Sequence, residues 1–264
     1  MARPGALGTL LTKRVAASKA SECGEVVACA QTGELLHYTE RPETYVSDVV
    51  DMGVYCFSPA LLDVLAQCVA AKGVQPASRD VPRGFVRLGA DVLAPYAGKR
   101  RLYVQETSEF WERVKAPGMT LRACELYLEH YRATAPELLA AGGAQLVGNC
   151  YVHPSAVVDP SAKLGPNVSV SQGAIIGPGA RLSNCIVLDN VAVGAHAVVQ
   201  HAIIGWASKL GAWARVQASG DHAAKFGVAI LGEDVTVADE VVLVGCVVLP
   251  HKEIKASVTN EVIL

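Results

Sequence analysis

Residues 152–182 read VHPSAVVDPSAKLGPNVSVSQGAIIGPGARL, and a branched aliphatic returns at every sixth place: Val152, Val158, Leu164, Val170, Ile176 and Leu182. The blocks VDPSAK, LGPNVS, VSQGAI and IGPGAR show the pattern, with a small residue four places after most aliphatics and turn-forming residues between. An amphipathic helix brings its apolar face back every third or fourth residue, so a period of six excludes it. After Leu182 the step shortens by one at three places, to Val187, Ile204 and Val248. It then resumes through Val193, Val199, Leu210, Val216, Leu231, Val237, Leu243 and Ile254. The register therefore persists to the end of the chain, which makes the whole stretch from about residue 146 a repeat architecture.

Short strands on a triangular coil satisfy this period. Each aliphatic points inward, each small residue lets neighbouring turns approach, and Gly or Asn takes the tight corner. The pattern resembles the hexapeptide repeat of left-handed parallel β-helices. Residues 217–228, QASGDHAAKFGV, interrupt the count, and an insertion leaving one coil of a solenoid is either a tolerated loop or a contact device.

Residues 1–118 follow a different rule. Residues 9–15, 25–30, 35–39, 53–57 and 101–105 predict strands, and 60–71 and 91–97 predict helices. Between the halves, apolar residues at 121, 124, 128 and 131 predict a helix, and Pro136 opens a second short turn. The expected organisation is an α/β domain over 1–118, a helical linker over 119–145 and an all-β repeat over 146–264.

The 264 residues are 51% apolar and 6% aromatic, with 24 glycines, which suits many small, tightly turned units. A formal charge of -2 gives no electrostatic case for nucleic acid or an anionic membrane, and no apolar run reaches spanning length. The first twenty residues are poor in acids and carry scattered Lys and Arg, which admits a transit-peptide reading; a strand over GTLLTKRV explains them equally well. Eight cysteines, at 23, 29, 56, 68, 124, 150, 185 and 246, form no C-x-x-C pair and no compact metal spacing. They predict reduced thiols in apolar niches of a cytoplasmic protein. His196 and His201 stand five apart, but the preceding repeat histidine, His153, is too far along the chain to complete a three-ligand zinc site, so no metal is expected.

Three segments carry a family resemblance. ELLHYTERPETYVSDVVDMGVYCFSP, residues 34–59, resembles the sugar-binding stretch of sugar-1-phosphate nucleotidyltransferases, where Glu-Lys-Pro precedes a Val-x-Asn or Val-x-Asp run and Gly-x-Tyr-x-Phe. FWERVKAPG, residues 110–118, is similar to their Phe-Trp-x-Asp-Ile-Gly-x-Pro segment. The tail VVLPHKEIKASVTNEVIL, residues 247–264, resembles the C-terminal end of GDP-mannose pyrophosphorylases (mannose-1-phosphate guanylyltransferases), particularly their α-type regulatory subunits, and RVQASGDHAAKFGVAILGE is most similar to plant and algal forms. The resemblance implies part of a nucleotidyltransferase (Rossmann-like) domain followed by a left-handed parallel β-helix. It also implies a pathway that condenses mannose 1-phosphate with GTP, a catalytic subunit as partner in a homo- or hetero-oligomer, and GDP-mannose as a ligand.

The resemblance places a remnant sugar-nucleotide site at Gly24, Glu40, Arg41, Asp51, Gly53 and Arg113, and a partner loop at Ser219, Gly220, Asp221, His222 and Lys225. Departures from the family pattern bear on chemistry. The chain starts beyond the point where the G-G-x-G-T-R-x-x-P-L signature would stand, so its phosphate-cradling amides are expected to be missing. Arg41 replaces the family lysine and Asp51 the usual asparagine. Arg113 stands at the position of the Asp that helps hold magnesium, and a guanidinium cannot ligate a metal, although it can pair with phosphate. The expectation is a chain with no catalytic residues and no cofactor of its own, magnesium belonging to a catalytic partner. Two other readings are a β-helix scaffold in an unrelated assembly, and a catalytic guanylyltransferase whose N-terminal part is incomplete in this chain.

Overall fold

The computed structural model describes residues 5–20, 22–40, 42–73, 85–222 and 224–264. The chain divides into two compact units, residues 1–111 and 112–264.

The first unit is built on a five-stranded sheet in the order β3-β2-β4-β1-β5, from β1 (Gly8–Arg14), β2 (Gly24–Ala28), β3 (Leu35–Glu40), β4 (Val49–Phe57) and β5 (Leu102–Glu106). β1 runs antiparallel to β4 and parallel to β5, while β2 and β3 form an antiparallel hairpin. A short helix α1 (Ala17–Ala20) follows β1, and α2 (Leu61–Gly73), a π turn (Leu88–Leu93) and α3 (Ala94–Tyr96) lie between β4 and β5. Leu7, Leu10, Val26, Leu35, Tyr38, Val64, Val92, Leu93 and Leu102 make its main core. Strand β4 starts at Val49, four residues before the predicted 53–57, because Val49, Val50 and Asp51 pair with Arg14, Lys13 and Thr12 in a register no local pattern announces.

The second unit is a parallel β-helix with a helix packed on it. Its strands stack in register on three faces. One face runs Cys150–Val152, Val168–Val170 and Arg181–Val187, and continues along the chain; another runs Val157–Val158, Ile175–Ile176, Ala192–Val193, Lys209–Leu210, Thr236–Val237 and Glu253–Ile254. From Leu164 to Ile254 every aliphatic of the six-residue ladder is buried, and the small residues four places later, such as Ala162, Ala174, Ala180, Ala197 and Ala214, are buried beside them. The period-six reading thus describes a real core, in which the second inward position of a rung is filled by Ala at some places and by Val at others, such as Val168, Val191, Val235 and Val241.

The corners differ from the expected Gly or Asn. Asn167, Asn184, Asn190 and Asn260 do take the left-handed conformation, but so do Ala207 (φ 56°), Trp213 (φ 60°), Glu240 (φ 62°) and His201 (φ 48°). Each of these residues or its neighbour is held by coil-to-coil backbone bonds, as in the Trp213 N–H to Ala195 C=O bond at 2.8 Å, so stacking offsets the local cost of about 1–2 kcal/mol.

Helix α4 (Met119–Thr134) buries Leu121 and Leu128 and packs on the strands Arg181–Val187 and Val198–Ile204. Residues 112–264 expressed alone are expected to give a cooperative melt and a β-rich circular dichroism spectrum. Cutting back to 146–264 should lower Tm by ~5 °C or more, because those two leucines lose their apolar surroundings. An unchanged Tm would show that α4 contributes nothing to the solenoid.

The eight cysteines are free thiols. Cys23, Cys150, Cys185 and Cys246 are buried as expected, whereas Cys56 is exposed on β4. Burial pushes the Cys124 thiol up to about 11, so this thiol is a poor nucleophile at neutral pH.

Candidate functional site

Two groups of residues stand out, one in each unit. In the first unit, Gly24 lies opposite Glu40 and Val26 opposite Tyr38 in the β2–β3 hairpin. Strand alternation puts Gly24, Tyr38 and Glu40 on one face. Asp51 reaches the same face from β4. Its Oδ2 accepts hydrogen bonds from Tyr38 Oη (3.2 Å) and Tyr55 Oη (2.5 Å), and its Oδ1 accepts the Gly53 N–H (2.9 Å).

This geometry gives each predicted residue a specific role. A side chain on Gly24 would come within 2.8 Å of the Tyr38 hydroxyl, so a larger residue there would have to displace the tyrosine from its place at Asp51. Gly53 has φ +77° with open space around it and lies within β4 where the β1–β4 register shifts between Leu10 and Thr12, a bulge at which Asp51 accepts the glycine N–H. Glu40 is exposed, with its carboxylate against the backbone of Gly89 at the π turn. Three of the roughly four acceptor positions of the Asp51 carboxylate are taken by the protein's own donors. Burial first, and then the Asp51 carboxylate, push the Tyr55 phenol well above its ordinary range, which keeps it a donor at all physiological pH values. Arg41 lies outside the described residues. Arg113 belongs to the second unit and is exposed, as is Lys115, while Trp111 packs on Ala20, Cys23 and Val50.

These residues do not fit a magnesium site. The Asp51 oxygens are committed to Tyr38, Tyr55 and Gly53, and among the described residues no group of three or more His, Cys, Asp or Glu is placed to hold a metal ion.

Sequence reasoning passed over Tyr38, Tyr55 and Glu25. Glu25 is fully buried; its Oε2 accepts the N–H groups of Val46 (2.7 Å) and Ser47 (2.8 Å), which pins the segment leading into β4. Its Oε1 has no partner among the described residues. The signal was an acid inside the apolar run of β2, where a carboxylate needs fixed donors.

The second group is the loop between the strands Arg215–Gln217 and Ala229–Leu231. The three shortened steps of the ladder share a corner. Leu182 to Val187 turns at Asn184, Val199 to Ile204 at His201, and Leu243 to Val248 at Gly245. In the coil between the last two, residues 218–222 and 224–228 occupy that same corner, flanked by His201 and Gly245. Gly220, at φ +85°, lies on the His201 ring, and Phe226 lies on Gly245. The loop closes on itself through the Gly220 N–H to Gly227 C=O bond (2.8 Å) and the Ala224 N–H to Asp221 C=O bond (3.1 Å), with Ser219 Oγ accepting the Asp221 N–H. Lys225 is exposed, 5.0 Å from the Phe226 ring centre. Ser219, Gly220, Asp221, His222 and Lys225 therefore form one ordered projection from a single corner.

His196 and His201 stand at successive corners. One stacks on Trp213 at 4.3 Å and the other on Gly220. Among the described residues no helix is long and apolar enough to cross a membrane.

Comparison with known proteins bears on both units. Residues 146–264 match the family model described as GMPPB C-terminal domain. The chain is 39% identical over 268 residues to mannose-1-phosphate guanylyltransferase regulatory subunit alpha of Papio anubis, covering 91% of this chain and 64% of that protein. It is 41% identical to the same-named protein of Sus scrofa, with the same coverage. With regulatory subunit alpha-B of Danio rerio it shares 34% identity over 284 residues, covering 97% of this chain and 67% of that protein. The chain thus spans just under two thirds of the length of the mammalian relatives, and the match runs through both units. A parallel β-helix with this ladder and a nucleotidyltransferase-like sheet before it, matched together along nine tenths of the chain, place this protein in the family of mannose-1-phosphate guanylyltransferase regulatory subunits alpha.

Proposed function

We propose that the chain acts as a regulatory, non-catalytic subunit that binds a catalytic GDP-mannose pyrophosphorylase subunit in the cytoplasm and adjusts its rate. The observation that carries this reading is the alignment of both units with proteins named regulatory subunits. Arg113, at the place of a metal-holding carboxylate, supports it on chemical grounds. The sheet face around Glu40 and Asp51 then serves to bind a sugar nucleotide such as GDP-mannose without turnover. The projection at residues 218–228 is the contact through which the catalytic subunit senses the regulatory one.

The test uses the corner geometry. Replacing residues 218–228 with a single Asn restores the five-residue step seen from Leu182 to Val187, so the ladder closes through Val216 and Leu231 without the projection. This variant is expected to fold and to co-purify with the catalytic subunit, while the catalytic rate, or its inhibition by GDP-mannose, changes severalfold relative to the complex with the intact chain. Two chains that fail to associate at micromolar concentration would reject the regulatory reading. Identical rates with the intact and shortened chains would reject the role of the loop.

A further inference from the structure

We propose that one flat face of the β-helix, which carries Lys163, Arg181 and Arg215 in a single outward column beside the exposed indole of Trp213, docks an acidic segment of a partner polypeptide. The column follows from the stacking register. Lys163 lies opposite Arg181, Arg181 opposite Val198, Val198 opposite Arg215, and Arg215 opposite Val242. The next residue of each strand, Leu164, Leu182, Val199, Val216 and Leu243, is buried in the core, so the column itself faces outward. The three cations are exposed, and Val198 is half-buried between the two arginines. Trp213, two residues before Arg215, is 61% exposed, with its ring stacked on His196 in the preceding coil. A ring already held in place offers apolar contact at a small entropic cost.

The face carries charge that the fold does not neutralise. Like charges directly opposite on adjacent strands repel, as Lys163 and Arg181 do here, and among the described residues none of the three cations has an ion pair. A neighbouring face of the same solenoid is ordinary by comparison. Its outward column reads Val157, Ile175, Ala192, Lys209, Thr236 and Glu253, with one cation and one acid. Helix α4 leaves the cationic column open, because it meets these strands beyond the corner, where Glu125 Oε1 accepts a bond from Asn167 Nδ2 next to Asn184.

Charge also selects the occupant. Two copies of this face laid antiparallel about Val198 would set Arg181 against Arg215, and laid parallel they would set each cation on itself, so a second copy does not fit. An anionic bilayer broad enough to cover the column would press on Asp239 and Glu240, exposed at the corner one coil beyond Trp213. A narrow segment avoids them. Lys163 and Arg215 are three rungs apart, about 14 Å at ~4.8 Å per rung, and three carboxylates at alternate positions of an extended chain span about 13 Å. Ser183, Gln200 and Gln217 form the next outward column and offer hydrogen bonds to the backbone of such a segment, while an aliphatic side chain at its end finds Trp213.

The experiment titrates the full chain into a fluorescently labelled peptide, Glu-Ala-Glu-Ala-Glu-Leu, and follows anisotropy. Saturable binding is expected at low salt and should be lost near about 0.5 M salt, where the screening length falls to roughly 4 Å. The glutamine version of the peptide should not bind. Arg181→Gln combined with Arg215→Gln should weaken binding about tenfold, and Trp213→Ala about fivefold. Lys209→Gln, which removes the cation of the neighbouring face, should change nothing. All four side chains are exposed, so each variant is expected to keep the wild-type melt. No saturable binding, equal binding of the glutamine peptide, or an equal loss from Lys209→Gln and the double variant overturns the proposal. Tighter binding of phosphatidylserine vesicles through the same two arginines would overturn it in favour of a membrane.

Discussion

Ile176→Asp is expected to destabilise the second unit by on the order of 5 kcal/mol, enough to leave it unfolded at 25 °C or nearly so. Ile176 is 1% exposed and sits between Val158 and Val193 on successive rungs of one face, inside a core cluster made of apolar side chains. A carboxylate there finds no donor and no counter-ion. Val170→Asp, on another face and fully buried, should behave alike. Urea melts followed by circular dichroism measure the loss. The introduced acid has its folded pKa raised by burial, so the penalty is complete well above that value and is relieved as pH falls through it; the variant should recover part of its stability near pH 4. Ile176→Val, which removes one methyl group, should cost only about 1 kcal/mol. A mild effect from the aspartate would mean that the ladder is not a continuous apolar core.

The second large effect is expected from Asp51→Ala, at about 3 kcal/mol, because it strips the acceptor from two tyrosine hydroxyls and the Gly53 N–H at once. The same variant has a spectroscopic signature. Tyr55 is held high first by burial and then by the hydrogen bond and charge of Asp51, so removing the carboxylate should bring its ionisation back toward 10.0 without fully reaching it. Alkaline titration of tyrosinate absorbance should show one phenol ionising earlier in the variant than in the wild type. Asp51→Asn keeps one acceptor oxygen and should recover roughly half of the stability. Coincident titration curves for wild type and Asp51→Ala would show that the carboxylate does not hold Tyr55.

Both predictions bear on function through rigidity. A β-helix whose core tolerated a charge would not present residues 218–228 in a fixed place. A sheet face whose carboxylate were free would bind cations and repel phosphate. The commitment of Asp51 to Tyr38, Tyr55 and the Gly53 N–H leaves few of its acceptor positions open to a cation, although its charge remains.

The amino-acid sequence alone determined the β-helix and the limits of its inward ladder, because a period of six cannot be satisfied by another regular structure and every rung repeats the test. It also determined where the ladder shortens and where the loop leaves it. What those shortened steps mean was decided only in three dimensions: they share one corner, and the loop fills that corner in its own coil. Ala207, Trp213 and Glu240 at left-handed corners were illegible for a similar reason, since backbone bonds from adjacent coils, not local preference, hold them there. In the first unit, strands and helices were readable to within a few residues, but the site was not. Gly24, Glu40 and Asp51 were named from their neighbours along the chain, whereas their roles depend on Tyr38 and Tyr55 reaching across the sheet. The surroundings of Glu25, and the seating of Gly220 on the His201 ring, are likewise products of tertiary structure. Desolvation and the supply of donors are set by residues distant in sequence, and no periodicity encodes them.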